Sequence, residues 1–338
     1  MSKLNLAVIF GGSSIERESS IESAITLINN LSREKYNIIP VYVNAQGNYF
    51  LYEGGPHSIK AAEWENFGTK CQIDLNRQSN GLLRISGERV KNVPVDVAIP
   101  LIRGSLLGGS MQGVLEVSGI KYVGATLMAS SLTADNGMTK LLAKSLGIAC
   151  PKHLLFDSKD LDNFDDLLRT IRYKLGYPCN IKPLKRGFSD GISIAYNKKE
   201  LEDAVLTAFL YGNKIIAEKM VQGRELVCAI LVCRDEIFVS GMGEVLPGDE
   251  LCMSPKLNNE KISEIKDAAL RLYKSMDIHG PACFKFFLED IADNVFLGEI
   301  DTTLRFHDTD IYPRIMQSYL GISSQELIDK LIETALEH

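Results

Sequence analysis

Residues 4–14 have the sequence LNLAVIFGGSS, a nearly continuous apolar run that ends in two glycines and two serines. A run of this kind, without regular polar alternation, is typical of a strand that is buried on both faces of a sheet. An amphipathic helix is predicted around Ile21–Leu31, and further apolar strands are predicted at Ile38–Val43 and Val95–Ile102. This order of strand, helix and strand predicts a parallel sheet that is covered by helices.

The rest of the chain has a different pattern, in which helices alternate with short strands. The stretch 45–93 is polar and is predicted to be irregular apart from an alternating segment at Gly81–Ile85. One helix is predicted near Ser130–Leu146, and a β-hairpin is predicted to join Cys179–Pro183 to Ile192–Tyr196. Strands predominate toward the C-terminus. We therefore predict a mixture of α/β and α+β units: an N-terminal parallel α/β domain over residues 1–122, and two α+β domains over residues 123–217 and 218–338.

The overall charge distinguishes this chain from proteins that bind phosphate-rich polymers. Among its 338 residues, 37 are lysine or arginine and 43 are aspartate or glutamate, so the formal net charge is −6 with histidine neutral. Binding to nucleic acid or to an anionic membrane requires a basic surface, and the sequence predicts neither partner. It also lacks an apolar run of about 18 residues, the length that a membrane-spanning helix needs.

Seven cysteines are distributed along the chain without a Cys-x-x-Cys spacing, most of them in apolar runs such as Leu226–Val232. The odd count and the apolar surroundings favour reduced, buried thiols over a disulfide framework or a zinc site. The first apolar segment is too short to be the hydrophobic region of a signal peptide. Together these features predict a cytoplasmic protein.

Two glycine-bearing turns have the composition of a site for a phosphorylated ligand. Gly11-Gly12 follows the first strand and places backbone N–H groups where open α/β folds bind ligands. It lacks the Gly-x-Gly-x-x-Gly spacing of dinucleotide sites, and a capped strand-to-helix turn is the commoner explanation. Lys182 precedes the turn Gly187–Gly191, whose amides would face phosphate oxygens while the lysine supplies charge. An ordinary hairpin explains the same residues.

Four carboxylates near strand ends are the remaining candidates. Glu218 and Glu225 flank a loop between two predicted strands, where they suit hydrogen bonds to a base and a ribose or are simply solvated. Glu299 and Asp301 alternate on one strand face, a spacing that lets both carboxylates reach one Mg²⁺. An exposed acidic strand end explains this pair equally well.

Taken in chain order, these motifs resemble those of the ATP-grasp ligases, and more closely those of the D-alanine–D-alanine ligase family with its D-alanine–D-serine variants. The similarity extends over essentially the whole chain. The matching segments are Ala7–Glu18 with Ser23-Ala24, Met111–Glu116, Tyr122–Gly124, Met138–Lys140, Ile181–Pro183, Ile215–Lys219, Gly223–Glu225 and Gly298–Thr302.

The resemblance implies ATP-dependent synthesis of a D-amino-acid dipeptide for peptidoglycan precursors, through an acyl phosphate, in a three-domain fold whose last two domains clasp ATP. It also implies Mg²⁺ as a cofactor, amino acids as substrates and a homodimeric assembly. The positions that match the family's site are Glu16 for the ammonium of the first substrate, Ser189 as a catalytic hydroxyl, Lys140, Lys182, Gly187 and Gly191 for the ATP phosphates, Glu218 and Glu225 for the base and ribose, and Glu299 and Asp301 for the metal.

Other positions depart from the family's pattern, mainly in its substrate and metal sites. They are Arg103, Phe188, Cys283, Lys285, Arg305 and Asp310. Cys283 replaces an arginine that stabilises an oxyanion, and the loss of one such donor generally lowers a rate by about 10²–10³-fold. Lys285 replaces a metal-binding aspartate and should weaken Mg²⁺ binding. A Lys285–Asp301 ion pair would replace part of the metal site, although coincidence is an equal explanation.

Two functions therefore stay open from the sequence. One is an active D-alanine–D-X ligase, which the full-length match favours. The other is a catalytically impaired relative that binds nucleotide and acts through a partner or as a regulator, which the changed metal and substrate positions favour. A nicotinamide-dependent oxidoreductase is the weakest hypothesis, because it rests on the Gly11-Gly12 turn alone.

Overall fold

The computed structural model describes residues 3–12, 16–54, 68–102, 108–185, 191–234, 236–248, 250–303, 305–307 and 310–337. Over these ranges the chain forms three sheets, which follow one another in sequence. No helix in the described ranges is long and apolar enough to cross a membrane.

The first sheet has eight strands in the spatial order β6-β5-β4-β3-β2-β1-β7-β8. Its strands are β1 (Leu4–Gly11), β2 (Tyr36–Val43), β3 (Tyr49–Tyr52), β4 (Gly68–Ile73), β5 (Gly81–Ser86), β6 (Arg89–Pro94), β7 (Val97–Pro100) and β8 (Lys121–Tyr122), and its helices are α1 (Arg17–Asn30) and α2 (Ser110–Ser118). β1 pairs in parallel with β2 and β7, and β7 pairs in parallel with β8. The parallel sheet predicted from the apolar strands is thus confirmed for these four strands.

The prediction that residues 45–93 are irregular is wrong. This stretch contains β3, β4, β5 and β6, which extend the parallel part of the sheet through antiparallel pairs. β6 is exposed at nearly every position. An exposed edge strand has no buried face and therefore lacks the apolar alternation by which a sequence indicates a strand.

The single helix predicted near Ser130–Leu146 is in fact two helices, α3 (Leu127–Ala134) and α4 (Asn136–Ser145). The break falls at Asp135, whose carboxylate accepts hydrogen bonds from the backbone N–H groups of Gly137 and Met138 at 2.9 and 3.0 Å. A carboxylate in this position satisfies N–H groups that the first turn of a helix leaves without partners. Asp135 therefore starts α4, the helix that carries Lys140.

The second sheet has four antiparallel strands in the order β11-β10-β12-β9. Its elements are β9 (His153–Asp157), a 3₁₀ turn (Ser158–Asn163), α5 (Phe164–Leu175), β10 (Cys179–Pro183), β11 (Ser193–Ala195), α6 (Lys198–Leu210) and β12 (Lys214–Lys219). β10 and β11 form the predicted hairpin. One face of the sheet buries Cys179, Ile181 and Ala217 in a core with α5 and α6. Since side chains alternate along a strand, Lys182 and Glu218 project from the other face.

The third sheet has β13 at its centre, in the order β16-β15-β13-β17-β18, with β14 also paired to β13. Its elements are β13 (Gly223–Cys233), β14 (Glu236–Val239), β15 (Gly243–Leu246), β16 (Glu250–Met253), α7 (Asn259–Ser275), β17 (Ala282–Glu289), β18 (Val295–Asp301), α8 (Ile311–Leu320) and α9 (Ser324–Glu337). Phe284 and Phe286 of β17 belong to the core that also contains buried residues of α7. The alternate residues Cys283 and Lys285 therefore lie on the opposite face of the sheet.

The first and third sheets share one hydrophobic core. Phe10 and Leu27 of the N-terminal part belong to the same buried cluster as Leu231, Met316 and Leu331 of the C-terminal part. The second sheet has a separate core made only of its own elements. The domain ranges 1–122, 123–217 and 218–338 stay predictions, although each of the three sheets lies almost entirely within one of them.

Candidate functional site

Four of the residues singled out in the sequence meet between the second and third sheets. Lys182 and Glu218 lie on the neighbouring strands β10 and β12, on the face turned away from α5 and α6. Lys140 reaches them from α4, and Glu299 from β18. These residues, which are hereafter the four-residue cluster, come from four elements that are far apart in sequence.

Glu218 lies at the centre of this cluster. Its two carboxylate oxygens are 2.8 Å from Lys140 Nζ and 2.7 Å from Lys182 Nζ, so each oxygen has its own lysine. Lys182 Nζ also donates to Glu299 Oε1 at 3.3 Å, and Lys140 Nζ donates to the carbonyl of Gly298 at 3.4 Å. The exposed fractions of Lys140, Lys182 and Glu218 are only 2%, 5% and 6%. Two cations are thus fixed in a nearly dry location.

The pKa values of Lys182 and Glu218 are shifted toward the charged form of each group. Burial by itself would lower the pKa of Lys182, but the charges of Glu218 and Glu299 outweigh burial and raise it above its usual 10.5. Burial would likewise raise the pKa of Glu218, and Lys182 and Lys140 outweigh it, so the pKa of this carboxyl lies below 4.5. An opposite charge within hydrogen-bonding distance favours the charged form of each partner. Lys182 is therefore a cation and Glu218 an anion at neutral pH.

A second ion pair lies on the third sheet, between Lys285 and Glu225, with 2.7 Å from Lys285 Nζ to Glu225 Oε1. Lys285 is directly opposite Val227, and Glu225 is the diagonal neighbour two residues away on β13. Long side chains can bridge such a diagonal on one face of a sheet. About a third of the Lys285 side chain remains exposed. Lys285 thus pairs with Glu225, whereas the sequence suggested Asp301.

Asp301 belongs to a third ion pair. Its carboxylate is 3.8 Å from Arg305 Nη2 and accepts a hydrogen bond from the backbone N–H of Thr303 at 2.9 Å. On the sheet, Asp301 is directly opposite Cys283, and Glu299 is directly opposite Lys285. The two pairs, Lys285–Glu225 and Arg305–Asp301, are called the outer pairs below.

These carboxylates do not fit a magnesium site as they stand. Each of Glu299, Asp301 and Glu225 has a lysine or arginine nitrogen within 4 Å. Among the residues that the structure describes, no group of three or more His, Cys, Asp or Glu side chains is arranged to hold a metal ion. Mg²⁺ prefers six oxygen ligands in near-octahedral geometry and depends on carboxylates for its protein contacts. The assignment of Glu299 and Asp301 to a metal stays a prediction that this arrangement does not support.

Glu16 lies at the start of α1, close in sequence to the turn that follows β1. The hydroxyl of Ser20 fixes this turn, since it accepts from the N–H of Gly11 and donates to the carbonyl of Leu101. Gly11 has φ +98°, and a Cβ there would lie 2.3 Å from the carbonyl oxygen of Val43. Glycine is therefore required at this position by the backbone conformation and by close packing, independently of any ligand.

Of the remaining predicted positions, two lie within the described residues and four lie outside them. Gly191 follows the glycine turn, and a Cβ there would lie 2.7 Å from the ring of Pro183, so that the returning chain can pass close to β10. Gly187, Ser189, Phe188 and Arg103 lie outside the described residues. Asp310 accepts a hydrogen bond from the backbone N–H of His307 at 2.7 Å, next to the start of α8.

Gly298 contacts the four-residue cluster, although reasoning from single residues did not single it out. Its carbonyl accepts from Lys140, and a Cβ there would lie 2.8 Å from the ring of Phe287 and 3.4 Å from the side chain of Lys285. It thus allows the four-residue cluster and the outer pairs to come together. The only sequence signal was its place at the start of the motif Gly298–Thr302.

Comparisons with known proteins agree over the whole length of the chain. The family described as D-ala D-ala ligase N-terminus matches residues 5–125, and the family described as D-ala D-ala ligase C-terminus matches residues 142–253 and 249–333. A D-alanine–D-alanine ligase of Caldicellulosiruptor bescii is 35% identical, with 100% of this chain and 96% of the relative aligned. One of Chloroherpeton thalassium is 31% identical, with 100% and 97% aligned.

Solved structures give the same result for the fold. The D-Ala:D-Ser ligase VanG of Enterococcus faecalis superimposes with a TM-score of 0.87 at 28% identity, over 99% of this chain and 100% of that chain. A D-alanine–D-alanine ligase of Coxiella burnetii gives 0.83 at 24% identity, over 100% and 95%. The predicted ATP-grasp fold is confirmed. The chain belongs to the D-alanine–D-alanine ligase family.

Proposed function

We propose that this chain is an ATP-dependent ligase that joins two D-amino acids into a dipeptide for peptidoglycan precursors, in the cytoplasm. The observation that carries the proposal is the pair of buried lysines, Lys140 and Lys182, that the carboxylate of Glu218 holds between two sheets. Phosphoryl transfer depends mainly on positioned charge, and fixed charges in a dry site need no reorganisation when the reaction occurs.

The cytoplasmic location is supported by the cysteines. All seven lie within the described ranges and are free thiols, which suits a reducing compartment.

The chemistry has two steps. A carboxylate oxygen of the first D-amino acid attacks the γ-phosphorus of ATP, and ADP leaves, which produces an acyl phosphate. The amine of the second amino acid then attacks the acyl carbon, loses a proton and displaces phosphate. In this proposal Lys140 and Lys182 bind phosphate oxygens. Glu218, which the resemblance assigns to the base, instead holds both lysines in place, because each of its carboxylate oxygens pairs with one of them. Glu16 holds the ammonium of the first substrate, and Ser189 contacts the reacting groups. Glu225 binds the ribose once it parts from Lys285.

An assay of ADP release tests this proposal. ATP should be consumed only when D-alanine, alone or with a second D-amino acid such as D-serine, is present, and the dipeptide should be detected by mass spectrometry. Lys182→Gln should lower the rate by about 10²-fold or more, because it removes a preformed cation. Lys198→Gln, which breaks an exposed pair with Glu202 on α6, is the matched control and should leave the rate unchanged. ATP consumption that is independent of every amino acid would contradict the proposal.

The outer pairs favour a second function, that of a nucleotide-binding relative without ligase activity. Lys285 and Arg305 occupy the surroundings of the strand-end carboxylates, while the nucleotide lysines are intact. Such a protein would bind a non-hydrolysable ATP analogue and gain thermal stability from it, yet release no ADP with any D- or L-amino acid. The same two measurements therefore decide between the functions.

We also propose that the chain is a homodimer. Met138 and Leu141 lie three residues apart on α4, on one face of the helix, and both are about half exposed or more. Leu155 of β9, also exposed, has its Cδ1 within 3.3 Å of the position of a Cβ on Gly137 and so extends the same apolar surface. Leu141→Glu should convert a dimer to a monomer in size-exclusion chromatography with light scattering. Leu210→Glu, at an exposed site on α6, should not.

A further inference from the structure

The ionic residues of the site balance one another. The four-residue cluster and the outer pairs together contain four carboxylates and four cations, so their formal charges sum to 4 − 4 = 0. The cations are Lys140, Lys182, Lys285 and Arg305, and the carboxylates are Glu218, Glu225, Glu299 and Asp301. Mg²⁺ is usually held by one or two carboxylates together with substrate phosphates. Here each of the four carboxylates already has a lysine or arginine nitrogen within 4 Å.

We propose that Lys285 serves as an internal cation in place of a divalent metal, so that the chain binds a nucleoside triphosphate in the absence of Mg²⁺. The proposal rests on the proposed function, since it concerns how the same site accepts its nucleotide. It also goes further, because it assigns a role to Lys285 and changes the chemical form of the ligand from the metal complex to the free nucleotide.

The position of Lys285 supports this role. It lies on β17 directly opposite Glu299 of β18, and Glu299 in turn accepts from Lys182. Lys285 is thus a direct neighbour of Glu299, which is a member of the four-residue cluster. A metal ion entering between the carboxylates would have to part Lys285 from Glu225 and Lys182 from Glu299, and would then lie beside both cations. Repulsion between like charges in a partly buried location opposes this exchange.

Exposure distinguishes Lys285 from the other lysines. The side chains of Lys140 and Lys182 are almost fully buried, whereas about a third of Lys285 is exposed. A partly exposed ion pair is weaker than a fully buried one, so Lys285 leaves Glu225 more easily than Lys140 or Lys182 leaves Glu218 when a more highly charged partner arrives. A triphosphate without metal is such a partner. When Lys285 leaves Glu225, the carboxylate of Glu225 also becomes available for another hydrogen bond.

Calorimetry with the non-hydrolysable analogue AMP-PNP tests the proposal on the full chain. The dissociation constant of AMP-PNP measured in EDTA should agree with that measured in Mg²⁺ within about threefold. The loss of a metal contact to the nucleotide would change it by about tenfold or more, which corresponds to about 1.4 kcal/mol of binding free energy. Titration of Mn²⁺ alone and with AMP-PNP, followed by electron paramagnetic resonance, should show no protein-dependent binding of the ion beyond that of the nucleotide.

Three variants make the test specific. Lys285→Asp should create a metal-dependent site, so that AMP-PNP binds at least about tenfold more tightly with Mg²⁺ than in EDTA, and a protein-bound Mn²⁺ signal should appear. Lys285→Ala should weaken binding in EDTA without producing that signal. Lys274→Asp makes the same charge change on α7, which packs on the opposite face of the sheet, and should behave like the original chain. Circular dichroism confirms that each variant is folded.

The outcomes separate the two proposals. Binding of AMP-PNP to the original chain only in the presence of Mg²⁺, or a protein-bound Mn²⁺ signal equal to that of Lys285→Asp, would overturn the role of Lys285 and leave the ligase proposal standing. If AMP-PNP binds under neither condition, the proposed function fails, and this inference fails with it.

Discussion

Glu218 shows how much a single residue contributes to this site. It is buried between two lysines, and its removal leaves both cations close together in a dry location. We expect Glu218→Gln to lower the free energy of unfolding by about 3–5 kcal/mol, the usual effect of breaking a buried ion pair from one side. Urea denaturation measures this change. Glu202→Gln, which breaks the exposed pair with Lys198 on α6, should cost no more than about 1 kcal/mol. Equal losses for the two variants would contradict the central place of Glu218.

The same residue predicts how stability depends on pH. The pKa of Glu218 is lower in the folded chain than its usual 4.5, because the two lysines outweigh the effect of burial. Its contribution is therefore fully present above about pH 4.5 and is lost as the pH falls from there through the folded pKa. The free energy of unfolding of the original chain should fall more steeply below pH 4.5 than that of Glu218→Gln. Parallel pH profiles from urea denaturation would show that Glu218 is not stabilised in this way.

Single residues also show what a sequence reveals about a site. Lys182 and Glu218 were found as candidates because they stand in strand motifs, and the structure places them 2.7 Å apart. The pairing of Lys285 with Glu225 could not be predicted, since it depends on the register of β13 against β17, which places the two residues on one diagonal. Register is a property of two strands together, and neither strand carries it alone.

At the scale of one element, Asp135 couples helix capping to the site. It caps α4, and Lys140 lies in the second turn of that helix. Asp135→Ala should cost about 1 kcal/mol of stability and should also weaken AMP-PNP binding, because the first turn of α4 loses its anchor. The matched control is Asn258→Ala, which removes the side chain that caps α7 by accepting from the N–H of Lys261. It should cost a similar amount of stability in thermal unfolding and leave nucleotide binding unchanged. If the two variants bind AMP-PNP with equal affinity, the cap at Asp135 has no influence on the nucleotide site.

Whole elements were predicted where burial requires apolar residues. The strand at Leu4–Phe10 was found from its continuous apolar run, and the β10–β11 hairpin from two short strands on either side of a glycine-bearing turn. The strand β6 was missed, since an exposed edge strand needs only backbone hydrogen bonds, for which many polar sequences are adequate. The inner strand β3 has three buried residues but is only four residues long, which is too short for a clear pattern. The break at Asp135 was also missed, because the apolar period continues from α3 into α4 although the helix does not.

At the scale of the molecule, the distribution of the cores decides which parts are held together. The first and third sheets share one buried cluster, in which Leu27 and Phe10 are joined with Met316 and Leu331. The sequence predicted three successive units and their order. It did not predict that the first and third sheets share a core, because a contact between residues as distant in the chain as Phe10 and Met316 leaves no local pattern. The ionic site lies where the separate second sheet meets the third.

This distribution predicts that the second sheet opens independently of the rest. Its core, which includes Ile181 and Val205, is formed only by its own elements, so its local unfolding exposes no residue of the shared core. Native-state hydrogen exchange should show that the amides of β10 and β12 exchange through a smaller opening free energy than those of β1 and β13. AMP-PNP should reduce this difference, because the nucleotide would bridge Lys182 on the second sheet and residues of the third.

Equal protection of all four strands without nucleotide would mean that the ion pairs around Glu218 already join the sheets into one cooperative unit. In Glu218→Gln that coupling is lost, and the second sheet should open most easily.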